Sequence, residues 1–96
     1  MQVDFSQTIN SLDGQPLMGP GNVTVTLGLI AVNAILEGEK SMPTNEKVRR
    51  YDLAMAIHAA KGPLELLEAD LDMIRKAVEE HPSPLVVGQA SRMLQI

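Results

Sequence analysis

The sequence predicts a mostly helical α+β fold: about four helices with a short N-terminal β-hairpin. Two observations carry this. Before residue 20, Val3 and Phe5 alternate with Asp4 and Ser6, the two-residue period of a half-buried strand. After residue 26, apolar residues recur at three- and four-residue spacing, the signature of one buried helical face. The 96 residues suit one domain, read as a hairpin and loop arm over 1–22 and a helical core over 23–96.

Each element has its own local signal. Asp13-Gly14, flanked by Leu12 and Leu17, marks a hairpin turn, because glycine adopts the positive φ that tight turns need. Gly19-Pro20-Gly21-Asn22 then breaks regular structure. The first helix is expected from about Leu27 to Glu37, capped by Thr26 and stopped by Gly38, with Val23 to Thr26 as a short β-branched lead-in. The second spans about Thr44 to Lys61 and ends at Gly62-Pro63. Its buried face is read as Val48, Tyr51, Met55, Ile57 and Ala59. Its second half is apolar almost all round, which places it at the centre of the core.

Leu64-Glu65-Leu66 alternates and can add a strand to the N-terminal hairpin. The third helix is expected over about Glu68 to Glu80, with an apolar stripe of Leu67, Leu71, Ile74 and Val78. Asp72 to Lys76 and Arg75 to Glu79 are i, i+4 pairs on its wet side. Ser83-Pro84 opens the last helix, whose buried side is Val86, Val87, Ala90, Met93 and Leu94, with Gly88 and Ala90 small enough for close helix contact. No internal repeat is visible. An apolar run reaching the end of the chain, together with only two aromatics, Phe5 and Tyr51, leads to the expectation of a homodimer that covers the last helix.

Composition excludes several classes. There is no cysteine, hence no disulfide scaffold, thiolate metal site or cysteine nucleophile. A net charge of −4 argues against a nucleic-acid binder. The most apolar window, Val23 to Leu36, is broken by Thr24, Thr26, Gly28 and Asn33 and is too short to span a bilayer. Met1-Gln2-Val3-Asp4 lacks the basic start and apolar stretch of a signal peptide.

Catalytic and cofactor motifs are missing too. Gly38-Glu39-Lys40-Ser41 lacks the glycine that a phosphate loop carries before its lysine, and Gly19-Pro20-Gly21 has no third glycine for a dinucleotide turn. Asp70-Leu71-Asp72 lacks the glycine and glutamate of a calcium loop. His58 and His81 have no metal-ligand neighbours; His58 reads as a packed or boundary histidine. No catalytic residue, metal or cofactor is therefore expected. The candidate partner-binding residues are Lys47, Arg49, Arg50 and Tyr51. Cations near a helix N-terminus oppose the helix dipole, and Arg and Tyr are frequent binding anchors. The competing reading is a solvated mixed-charge face, with Glu46 and Asp52 as neutralising partners. An acidic edge of Glu65, Glu68, Asp70 and Asp72 is the alternative surface.

In order, the chain shows Asp13-Gly14, Thr26-Leu27-Gly28, Ala31-Val32-Asn33-Ala34-Ile35-Leu36, Glu46-Lys47-Val48-Arg49-Arg50-Tyr51-Asp52-Leu53-Ala54, Ile74-Arg75-Lys76 and Ser83-Pro84-Leu85-Val86-Val87-Gly88-Gln89-Ala90. Over most of its length this resembles a group of small proteins encoded in tailed bacteriophages and prophages. Pro43 and Leu67 depart from it, standing where a capping residue is more common. The resemblance carries over no functional residue. It implies a non-enzymatic protein of the host cytoplasm that binds a host or phage protein. The expected role is a host-directed inhibitor, such as an antagonist of a bacterial defence complex. The alternative is an accessory of virion head or tail assembly. The lack of repetitive or elongated sequence favours the regulator.

Overall fold

A computed structural model describes residues 2–37 and 41–94. It contains two short strands, β1 (Gln2–Val3) and β2 (Leu64–Glu65), and four helices, α1 (Leu27–Leu36), α2 (Thr44–Ala59), α3 (Glu68–Glu79) and α4 (Pro84–Met93). β1 pairs antiparallel with β2, Gln2 opposite Glu65 and Val3 opposite Leu64, so the alternation at 64–66 does add a strand to the N-terminus. The mostly helical α+β class holds. The 38–41 stretch likened above to a phosphate loop, and the Gly38 stop, lie almost wholly outside the described residues.

Between β1 and α1 the chain builds a closed three-segment ring. Thr8 pairs with Thr26, Asn10 with Pro16 and Met18 with Thr24. The Ile9 N–H donates to the Val25 carbonyl (2.9 Å), Leu17 to Ile9 (2.8 Å) and Val25 to Leu17 (2.8 Å), so each segment donates to another and the circuit closes. The turns between segments match: Ser11 N–H reaches the Gln15 carbonyl and Gly19 N–H the Val23 carbonyl. The backbone therefore repeats every eight residues, with an aliphatic side chain, Ile9, Leu17 or Val25, at the equivalent place in each segment. Gly14 at φ 87° and Gly21 at φ 73° make the two turns possible. The ring buries Ile9 and Val25 toward the helices.

α1 packs against both α2 and α3 and forms the centre of the molecule. Thr26 caps it by accepting the Leu29 N–H at 3.2 Å, and Leu27, Ile30, Ala31 and Ile35 face inward. The sequence reading puts α2 at the centre instead; α2 is peripheral, with only Leu53, Ala54 and Ile57 buried. α1 fits the central place because Gly28 lets it close on Phe5. The Gly28 N–H bonds the Phe5 carbonyl at 2.8 Å, and a Cβ at Gly28 would lie 3.0 Å from that oxygen and 3.7 Å from Ile57.

In α3, Leu71, Ile74 and Val78 are buried as expected, joined by Met73. Leu67 is not part of the stripe: it is 73% exposed. It sits just before the helix with extended backbone (ψ 152°), so the helical 100° step does not reach it. Pro43 and Leu67 begin α2 and α3 without any side-chain cap. In α4, Ser83 accepts the Val86 N–H at 3.4 Å, and Val86, Ala90 and Leu94 are buried while Val87 and Met93 are half-buried. The apolar side of α4 is thus largely covered within one chain, which removes the reason for a dimer through the last helix. Gly88 faces open space rather than a neighbouring helix.

Candidate functional site

α2 carries two apolar stripes at helical spacing. Leu53, Ala54 and Ile57 pack inward. Val48, Tyr51 and Met55 lie on the opposite arc and are 52%, 57% and 52% exposed. The sequence reading has Val48, Tyr51, Met55 and Ala59 inward; the structure turns them out, with Ile57 alone of that set buried. Both stripes satisfy the helical period, so periodicity cannot choose between them. The choice falls to α1: the notch at Gly28 admits Ile57, which lies against it.

The four candidate residues Lys47, Arg49, Arg50 and Tyr51 do not share one patch. Successive helical residues point about 100° apart, so they fan around α2. Arg49 reaches α3 and pairs with Asp70 at 2.9 Å. Arg50 is half-buried toward the end of α1, 3.7 Å from Glu46 and 3.5 Å from the Glu37 carbonyl oxygen. Asp52 neutralises neither. Lys47 and Tyr51 are exposed, Tyr51 on the outward stripe and Lys47 beside it. The helix-dipole conflict of the two arginines is thereby answered inside the chain. Asp70 lies in the first turn of α3, where a carboxylate suits the positive helix end and also meets Arg49.

The acidic edge is likewise divided. Asp70 belongs to that cross-helix pair, and Asp72 pairs with Lys76 at 3.1 Å. Glu65 and Glu68 are exposed, on β2 and at the start of α3. Arg75 turns from the expected Glu79 to donate to the Leu94 carbonyl at 2.9 Å, closing α3 on α4. His81 accepts the Ser83 N–H through Nδ1 at 3.1 Å. His58 is exposed, not packed.

Several hollows border α2, two of them beside its C-terminal end and its β2 side. One, of about 310 Å³, lies between α1, α2 and the segment before α1, lined by Phe5, Val23, Thr26, Leu29, Val32 and His58. The other, about 440 Å³, separates α2 from β2 and includes Val48, Arg49, Asp52, Leu64 and Asp70. Among the described residues no group of three or more His, Asp or Glu side chains could hold a metal ion. No helix of the described residues is long and apolar enough to cross a membrane.

Compared with known protein families, curated proteins and solved structures, the chain matches none. The site must therefore be read from its own chemistry. What sequence reasoning missed is that Val48 and Met55 belong with Tyr51 on the surface. The charges give no signal that separates the two stripes: Lys47 and Asp52 flank one, and Arg50 stands one turn before Leu53 and Ala54 on the other.

Proposed function

We propose that this chain acts by binding protein, not by catalysis, and that the outward face of α2 is its contact surface. The observation that supports this is the exposure of Val48, Tyr51 and Met55 on one arc, opposite the residues α2 gives to the core. Scattered exposed apolar residues are ordinary; three on one rigid helical face are what a partner can cover. Tyr51 offers a large contact area with few torsions to freeze, and Lys47 stands beside it as a steering charge. The resemblance to small proteins of tailed bacteriophages supports a setting inside an infected cell, with a host-directed inhibitor as the form of the activity.

A photo-reactive residue placed at Tyr51 in living bacterial cells tests the contact surface. Cross-linked adducts are expected from position 51 and not from Glu79, an exposed control on α3. Equal or absent adducts at both positions overturn the assignment.

A further inference from the structure

We infer that the outward face of α2 receives a second copy of this chain, the two α2 helices packing side by side and parallel. The inference rests on the reading of that face as a contact surface and names its occupant.

The seam is Thr44, Val48, Tyr51, Met55 and His58, all exposed. Their spacing of four, three, four and three is the alternation that keeps one helical edge facing a partner helix along its length. The flanks decide what partner fits. Lys47 lies on one side of the seam and Asp52 on the other, because they stand about 100° before and 40° after Val48 around the helix. Both are exposed, and neither side chain has an ion-pair partner among the described residues. In a two-fold interface each contact occurs twice. When two such helices run parallel, the Lys47 side of one faces the Asp52 side of the other, giving two reciprocal ion pairs. When they run antiparallel, like sides face each other: Asp52, next to the middle of the seam, meets Asp52, while Lys47 lies about 12 Å along the axis from its copy. The seam is therefore self-complementary in one orientation only.

The size of the seam sets the strength. α2 has 16 residues and is about 24 Å long. One helix face of that length buries less than the roughly 800 Å² per partner of a stable complex. The dimer is accordingly weak and dependent on concentration.

Sedimentation velocity on the full chain from low micromolar to millimolar concentration tests this. A shift from monomer toward dimer mass is expected across the range. Met55→Lys should abolish the shift while its far-ultraviolet spectrum and melting temperature stay close to those of the parent. Lys47→Asp and Asp52→Lys should each weaken dimerisation about tenfold or more, because both make like charges meet. The double reversal Lys47→Asp/Asp52→Lys should restore it. A monomer at every concentration overturns the inference, and so does a dimer indifferent to Met55→Lys. Failure of the double reversal to rescue overturns the parallel pairing. Adducts from Tyr51 with other proteins alone, from a chain that stays monomeric, would remove the second copy and leave the contact surface standing.

Discussion

The Gln89 carboxamide brackets the backbone of Asn10: its Oε1 accepts the Asn10 N–H at 2.8 Å and its Nε2 donates to the Asn10 carbonyl at 2.5 Å. One side chain of α4 thereby serves as a strand edge for the N-terminal ring. Asn10 needs it because the ring bonds on either side, Ser11 N–H to the Gln15 carbonyl and Leu17 N–H to the Ile9 carbonyl, leave its own N–H and carbonyl pointing away from Pro16.

Gln89→Ala leaves a half-buried donor and acceptor without their partner. The expected loss is about 1–3 kcal/mol. Gln89→Glu keeps the acceptor but sets a negative charge against the Asn10 carbonyl, so it should be at least as damaging at neutral pH. Urea unfolding of both variants measures this; a cost within error of zero would show that the ring stands without α4.

Gly28→Ala pits two effects against each other. Helix propensity favours alanine by about 1 kcal/mol. The new Cβ, however, would sit 3.0 Å from the Phe5 carbonyl oxygen and 3.3 Å from its Cβ, and backbone cannot swing aside as a side chain can. Overpacking of this kind costs about 1–3 kcal/mol, so net destabilisation is expected. A variant that melts higher than the parent would show the contact to be slack.

The Arg49–Asp70 pair is part-exposed on both sides. Such pairs contribute at most about 1 kcal/mol. Arg49→Ala, Asp70→Ala and the double variant should give a coupling below that limit in a double-mutant cycle, shrinking further in 0.5 M salt. A larger coupling would mean that the pair is more shielded from solvent than its exposure indicates.

Two acids in the N-terminal region make acid stability testable. The Ser11 hydroxyl first, and then the Gln15 N–H, hold the Asp13 carboxyl below its ordinary value; the Ser6 hydroxyl and N–H do the same for Asp4. Both groups bind protons more weakly folded than unfolded. Their contribution is present above the ordinary value of 3.8 and lost as pH falls below it through the depressed folded value. The melting midpoint should therefore drop as pH falls through this window, and Asp13→Ala should flatten part of the drop. An identical pH profile for Asp13→Ala would remove Asp13 from the account.

The sequence by itself determined the four helices and their starts. Thr26 and Ser83 offer side-chain oxygens to free N–H groups, and Gly62-Pro63 cannot continue a ladder; these effects act within a few residues and need no fold. The strand at Leu64–Glu65 was legible for the same reason. The contact surface was only half legible. Lys47 and Tyr51 stood out, but Arg49 and Arg50 were drawn elsewhere by Asp70 and Glu46, one of them across chain segments. Which stripe of α2 turns inward was decided by the tertiary structure alone. Two apolar stripes on one helix have nearly equal claims on a core, and the notch at Gly28 breaks the tie by accepting Ile57. The eight-residue ring was equally hidden, because backbone hydrogen bonds carry it and its one trace in the sequence is an aliphatic residue at 9, 17 and 25.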